Sequence, residues 1–200
     1  MHDLLPDVCE HTPYYCEENV FLLAKHLIQE GRVDNDSHSL SVVIVSNPLR
    51  KTPMWHQKAS DSMDGFIVWD YHVFLVARTS AGTWVLDRDS SLPFPSTFHS
   101  YVQQTFRPGI CLNEKFHRIF RVIPAVDYIS SFSSDRSHML DASGQYQAPP
   151  PLYPPILQPS SSILLTDYLD MTGSKEKDGM GLLCSERSFY SQFQNFITHS

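Results

Sequence analysis

The sequence predicts a single domain of the α/β class in its α+β form, with a central, mainly antiparallel sheet flanked by helices. Three observations predict it. Segments with strand-like and helix-like patterning do not alternate as they would in a βαβ array. Two apolar, β-branched segments, Phe66 to Ala77 and Trp84 to Leu86, are joined by a polar turn from Arg78 to Gly82, which makes them antiparallel neighbours. The chain has 200 residues, 42% of them hydrophobic and 18% charged. That is enough for one well-cored globular unit and short for two, so the domain is drawn from 1 to 200.

From Glu17 to Glu30 the apolar residues Val20, Leu23, Ala24, Leu27 and Ile28 recur at helical spacing. Glu17 and Glu18 occupy the first turn and Gly31 caps the C-terminal end. A polar loop from Arg32 to Ser39 leads into a strand from Leu40 to Val45, which Asn47-Pro48 ends. Met54 to Asp64 reads as a loop or short helix anchored by Trp55. Phe66 to Ala77 is apolar on both faces and predicts one continuous central strand covered on each side, with Trp84 to Leu86 returning beside it.

Leu92-Pro93-Phe94-Pro95 breaks the pattern, and Ser96 then caps a helix carrying Phe98, Tyr101, Val102 and Phe106. Phe116 to Ile123 predicts a strand, and Pro124 in the first helical position starts a helix with Val126, Ile129 and Phe132. The run Ala148-Pro149-Pro150-Pro151-Leu152-Tyr153-Pro154-Pro155 fits neither a sheet interior nor a helix, so residues 148–159 predict a proline-rich strap over the surface. Asp170 to Gly181 reads as a loop, and Phe189, Phe193 and Phe196 mark a last short helix.

A net charge of -7 argues against nucleic acid as a partner, because neutralising phosphates needs an excess of Lys and Arg. No run approaches the roughly 20 apolar residues that a membrane span requires. Met1 to Asp7 lacks the basic start and apolar core of a secretory signal, and Cys9, Cys16, Cys111 and Cys184 are too sparse for a disulfide scaffold. Free thiols in a reducing, intracellular compartment are expected.

Cys16 opens the first helix, where the N-terminus favours negative charge and hence the nucleophilic thiolate. His72 lies in the long apolar strand, and Asp87 and Asp89 lie in the returning one. A hairpin turn centred on Thr79-Ser80 sets His72 directly opposite Asp87, with β-carbons about 5 Å apart, within reach of an imidazole–carboxylate hydrogen bond. A register longer by two residues pairs His72 with Asp89, and a one-residue bulge pairs it with Arg88. Asp87 is preferred because Trp84-Val85-Leu86 keeps it within the strand.

Cysteine, imidazole and carboxylate together are the parts of covalent acyl transfer: the imidazole takes the thiol proton, and the carboxylate fixes its tautomer. The Cys16 backbone amide is positioned to help hold an oxyanion. Taken singly, each residue also has a structural reading: a buried small hydrophobe, a satisfied core histidine, a turn aspartate. The other three cysteines take that reading. No metal and no cofactor are expected. Cys9 and Cys16 are spaced too widely for a zinc knuckle, no CxxC or HExxH occurs, and there is no glycine-rich phosphate loop. Asp135-Arg136-Ser137-His138 is taken as structural.

The blocks Tyr15-Cys16-Glu17-Glu18-Asn19, Val68-Trp69-Asp70-Tyr71-His72-Val73, Leu86-Asp87-x-Asp89-x-x-Leu92-Pro93-Phe94-Pro95 and Ser134-Asp135-Arg136-Ser137-His138-Met139 closely resemble those of the eukaryotic protein N-terminal glutamine amidohydrolases, in order and in spacing. The likeness runs from about Tyr14 to the strap near Pro155. The resemblance implies a compact fold with a transglutaminase-like or papain-like core, acting as a monomer in cytosol and nucleus. It implies conversion of the N-terminal glutamine of a polypeptide to glutamate with release of ammonia, feeding the Arg/N-degron degradation pathway. Its nucleophile, base and acid fall on Cys16, His72 and Asp87. Recognition of a free α-ammonium calls for acceptors near these three, and Glu17, Glu18 and Asp70 are the candidates. Competing readings are a transglutaminase or cysteine peptidase working through the same acyl-enzyme, and a non-catalytic adaptor presenting the proline run to an SH3 or WW domain.

Overall fold

The computed structural model describes residues 10–33, 39–158, 163–174 and 177–194. The expectations for Met1 to Asp7, Cys9, loop residues 34–38, Pro159 at the end of the strap, and Phe196 lie outside them. Among the described residues no helix is long and apolar enough to cross a membrane.

Helix α1 (Cys16–Gln29) forms as its periodicity predicts, burying Val20, Leu23, Ala24 and Leu27. Gly31 follows at a φ of +62°, and the Gly31 and Arg32 amides donate back to the Ile28 and Leu27 carbonyls. This left-handed cap is one that glycine adopts without a Cβ penalty. Strand β1 (Leu40–Ser46) is buried along its whole length. Its Val42 and Ile44 point into the layer beneath α1, and its Val43 and Val45 into the opposite layer. The alternation of side chains across a strand explains why no polar face shows in its sequence.

The expected continuous strand from Phe66 to Ala77 is instead two. Strand β2 (Thr52–Met54) pairs with β3 (Ile67–Trp69) in a small sheet of its own, and β4 (His72–Thr79) enters the main sheet beside β1. Asp70 and Tyr71 are the break. Pairing with two different partners overrides the apolar run; Met54 ends β2, and residues 55–64 form the loop alternative of the expected loop or short helix. Strand β5 (Gly82–Leu86) returns along β4 in a register that joins Leu75 to Leu86 and Thr79 to Gly82. The turn is thus centred on Ser80-Ala81, and the ladder ends before His72 is reached.

Strand β6 (Ser96–Thr97) precedes α2 (Phe98–Tyr101), which widens into a π-helical turn over Val102–Phe106. The N-cap is Thr97, whose side chain accepts from the Ser100 amide, and not Ser96, whose hydroxyl donates to the Pro93 carbonyl. Strand β7 (Ile119–Pro124) starts later than expected because Glu114–Phe116 forms a 3-10 turn. Pro124 caps α3 (Ala125–Ser131) and does not lie within it. That helix buries Ala125 and Tyr128, and Val126 and Ile129 stay half-exposed. Phe132 belongs to β8 (Phe132–Ser133), which pairs with β9 (Ile163–Leu164) ahead of α4 (Leu165–Tyr168).

Strand β10 (Leu182–Ser185), to which the sequence reading assigns no element, is the outer strand beside β7 and leads into α5 (Glu186–Gln194). Gly181 permits that approach: a Cβ there would collide with the Val122 backbone. The main sheet runs β10-β7-β1-β4-β5-β6, every pair antiparallel. Helices α1, α3 and α4 cover one face, and α2 and α5 the other, where Phe120 stacks on Phe189 at 4.2 Å between centroids. The result is the expected single α+β domain.

Residues 148–158 cross the surface without regular structure, as a strap. Tyr15 donates to the Ala148 carbonyl, Arg136 to the Pro151 carbonyl, and Gln158 reaches the Ile129 carbonyl. Backbone acceptors that proline leaves without a ladder are thereby satisfied.

Candidate active site

The site lies where β4 begins and β5 ends, so side chains from both layers reach it. From one side comes Cys16, first residue of α1. Its sulfur is hydrogen-bonded by the Val73 backbone and stands 3.7 Å from Glu17 Oε2. From the other side comes His72, whose Nε2 is 3.0 Å from Asp87 Oδ2, both side chains 2% exposed. Tyr101 of α2 donates to that same oxygen at 2.7 Å, and the Asp89 amide donates to Oδ1 at 3.0 Å. Trp69 stacks on the imidazole at 5.9 Å and Phe74 flanks it at 6.2 Å, fixing the ring plane.

Asp87, chosen from sequence, therefore meets His72, but along a diagonal past the end of the ladder and not straight across it. The observed register points His72 at position 89. Asp89 is also close, and ligand atoms of His72, Asp87 and Asp89 lie within 4.8 Å of one another. That spacing would suit a divalent cation, although the hydrogen bond from His72 to Asp87 already engages two of the three.

A cavity of about 700 Å³ opens over these groups, lined by Cys16, Trp69, Asp70, His72, Asp89 and His138 among others. The strap supplies Ala148 and Pro149 to its wall. Tyr14, at a φ of +71°, adds an aromatic edge against Trp69. Tyr15, at the N-cap of α1, offers no side-chain acceptor to the first-turn amides, so those N–H groups stay available for an anion.

The electrostatics are those of a resting thiol beside a poised base. Burial pushes Cys16 well above the ordinary thiol value, the Glu17 and Asp89 carboxylates push it further, and the Val73 hydrogen bond opposes them only in part. The helix N-terminus thus does not produce a standing thiolate. Burial also acts to lower His72, but the Asp87 carboxylate and its hydrogen bond reverse this, and the imidazole ends above its ordinary value. Burial would raise Asp87, yet His72 and Tyr101 hold it below the usual carboxylate range.

Of the three acidic candidates for ammonium recognition, Asp70 alone lines the cavity. Glu18 is fully buried and bound through both oxygens by Arg136, Nε at 2.9 Å and Nη2 at 2.8 Å. Glu17 is fully buried too, accepting from the Tyr71 hydroxyl at 3.0 Å. Its Oε1 stands 3.2 Å from His138 Nε2, close enough for an ion pair but outside hydrogen-bond geometry. Sequence reasoning gives Tyr101 no role in the site and takes the block that holds His138 as structural. Tyr101 reads as a core aromatic at helical spacing. Arg136 and His138 meet Glu18 and Glu17 respectively, a correspondence legible only once α1 and this turn are known to meet.

A cysteine and a histidine on the wall of one cavity, with a carboxylate behind the histidine, fit the class of hydrolases that act on amide bonds. The chain belongs to the N-terminal glutamine amidase family, whose model matches residues 11–193. It is 43% identical over 169 residues to the protein N-terminal glutamine amidohydrolase of Arabidopsis thaliana, spanning 82% of this chain and 76% of that one. Its identity to the protein of that name in Oryza sativa subsp. indica is 45% over 173 residues, 84% and 75% of the two chains. To that of Drosophila melanogaster it is 41% over 186 residues, 92% and 88% of the two chains.

Proposed function

We propose that this protein deamidates the side chain of an N-terminal glutamine in polypeptides, giving glutamate and ammonia, through Cys16, His72 and Asp87. The observation that carries it is the buried His72–Asp87 hydrogen bond at 3.0 Å, with His72 and Cys16 lining one cavity. With Nε2 held by Asp87, Nδ1 is the ring nitrogen left to take the thiol proton.

The sulfur attacks the carboxamide carbon as His72 removes its proton, and the carbonyl oxygen gains the negative charge, held by the first-turn amides of α1 including that of Cys16. Imidazolium then gives its proton to the nitrogen as the C–N bond breaks, releasing ammonia and leaving a thioester. Water attacks the thioester, its proton passing to His72. Collapse breaks the C–S bond, frees glutamate and restores the thiol. Because Cys16 rests as a thiol, proton removal belongs to the attack itself and no standing ion pair is needed. Asp70, an acid on the cavity wall alongside Asp89, pairs with the α-ammonium. Water as acceptor distinguishes this reaction from transglutamination, and the intact backbone from peptidase action. The expected setting is a monomer in cytosol and nucleus that supplies the Arg/N-degron pathway.

The test is mass spectrometry of short peptides beginning with Gln or Asn, or carrying an internal Gln, with wild type and Cys16→Ser in parallel. A gain of one mass unit confined to the N-terminal Gln peptide with wild type is expected. Conversion of internal Gln, or equal activity in the variant, overturns the reading.

A further inference from the structure

Two opposite charges stand at the mouth of the cavity, on facing loops. The β1–β4 ladder ends at the pair Val45–His72, and the β2–β3 ladder begins at Thr52–Trp69. Between them Ser46 to Lys51 on one chain segment faces only Asp70 and Tyr71 on the other. The Ser46 hydroxyl donates to the Asp70 carbonyl at 2.6 Å and fastens the two sides. Arg50 projects from the longer side and Asp70 from the shorter, and both line the cavity.

The longer side is built rather than slack. Buried Asn47 accepts from the Leu49 and Lys51 amides, both at 3.0 Å, and donates to the Lys51, Lys115 and His117 carbonyls. Arg50 sits at the tip with a φ of +52°, a backbone conformation unfavourable for a residue with a Cβ. Among the described residues its guanidinium makes no ion pair or hydrogen bond, and the Asp70 carboxylate receives only the Tyr71 amide at 2.9 Å. A strained tip therefore holds a cation without a side-chain partner in the same cavity wall as the Asp70 carboxylate and Cys16.

We propose that Arg50 is a substrate-binding residue whose guanidinium takes the first peptide carbonyl of the bound polypeptide while Asp70 holds its α-ammonium. This rests on the N-terminal glutamine reading above and adds a residue that binds and orients the substrate backbone. The α-nitrogen and carbonyl oxygen of one residue branch from the same Cα and lie roughly 3 Å apart. Two facing groups can thus hold both while the side chain descends to Cys16. Arginine suits the carbonyl because it stays charged and presents a planar fork of donors. An internal glutamine brings a preceding residue and an uncharged N–H to Asp70 and fits poorly. The first carbonyl is common to all polypeptides, so the clamp reads the chain end and tolerates later sequence.

The test is steady-state deamidation of a Gln-initiated peptide by the full chain as wild type, Arg50→Ala, Arg50→Lys and Asp70→Asn, with Lys25→Ala as a control for the loss of one exposed positive charge. Loss of uniform binding raises KM and spares kcat. Arg50→Ala and Asp70→Asn are each expected to raise KM about tenfold or more with kcat within about twofold, and Arg50→Lys to recover part of the loss. A KM for Arg50→Ala within about twofold of a wild type that does deamidate the peptide overturns the role of Arg50 and leaves the underlying reading standing. A wild type inactive on the peptide overturns both. Thermal melts of Arg50→Ala matching wild type, expected for a side chain with no intramolecular bonds, assign the change to binding.

Discussion

Tyr101 and His72 converge on one atom: Asp87 Oδ2 receives the phenolic hydrogen at 2.7 Å and lies 3.0 Å from the imidazole Nε2. The phenol comes from α2 on one layer, and so the acid is anchored to the sheet's far face as well as to the base. Removing the hydroxyl in Tyr101→Phe leaves a buried carboxylate short of one donor. A hydrogen bond to a charged group contributes about 1.5–3 kcal/mol, and a loss in that range is expected in urea unfolding. With Asp87 less firmly held, kcat should fall about tenfold at unchanged KM. An unaltered kcat would reduce Tyr101 to a packing residue.

The pH dependence follows from the same three groups. Neutral imidazole is the form that accepts the thiol proton, and His72 is raised above its ordinary value, so kcat/KM should climb with pH through a midpoint above about 6.5. In Asp87→Asn only the lowering effect of burial remains strong. The acid limb should then move to lower pH even as kcat drops by about 10³-fold or more, measured as rate against pH. Stability carries matching signs. Asp87, depressed in the fold, contributes above about pH 3.9 and loses this as the pH falls through its folded pKa. His72 contributes below about pH 6.5 and loses this as the pH rises through its raised folded pKa.

Part of this site is legible because Cys16 sits at a helix start that sequence marks well, whereas Asp87, expected within the returning strand, lies one residue past its end at Leu86. The hairpin register was not legible, since a turn of small polar residues around Ser80 leaves its centre ambiguous by one position. Asp87 nevertheless meets His72, on a diagonal past the last ladder pair instead of straight across it. The break at Asp70-Tyr71 was hidden by its surroundings, an apolar run that reads as one strand. It is where local pattern and architecture disagree, and the cavity mouth is built there. Strand β10 was illegible for a different reason: its Leu182–Ser185 segment is short and half-exposed, and only pairing with β7 makes it a strand.

Glu17 offers a direct handle on the nucleophile. It is the largest cause after burial of the raised Cys16 thiol, and it is fully buried beside the sulfur. In Glu17→Gln the side chain keeps its shape and its bond from Tyr71 but loses the charge. The thiol should then ionise at lower pH. Iodoacetamide labelling of the Cys16 peptide, followed by mass spectrometry across pH, would show its midpoint moving down. Exposed Cys111 serves as the internal reference, with its midpoint unmoved. An unshifted Cys16 midpoint would show that burial alone sets the thiol.

The pair formed by Glu18 and Arg136 predicts a stability defect of another kind. Both side chains are almost wholly enclosed, 0% and 4% exposed, and the guanidinium meets both carboxylate oxygens. Arg136 also lies over the Tyr15 and Tyr153 rings and holds the Pro151 carbonyl, so it ties α1 to the strap. Breaking a buried pair from one side leaves a bare charge and costs about 3–5 kcal/mol. Arg136→Met should lower the melting temperature sharply for this reason. Replacing both members, Glu18→Gln with Arg136→Met, removes both charges and should recover much of the loss, because the penalty comes from the unpaired ion more than from the missing attraction. A double variant as unstable as Arg136→Met would show instead that the strap and ring contacts of Arg136 carry the stability. Because the strap walls the cavity through Ala148 and Pro149, KM for a Gln peptide should rise in either case.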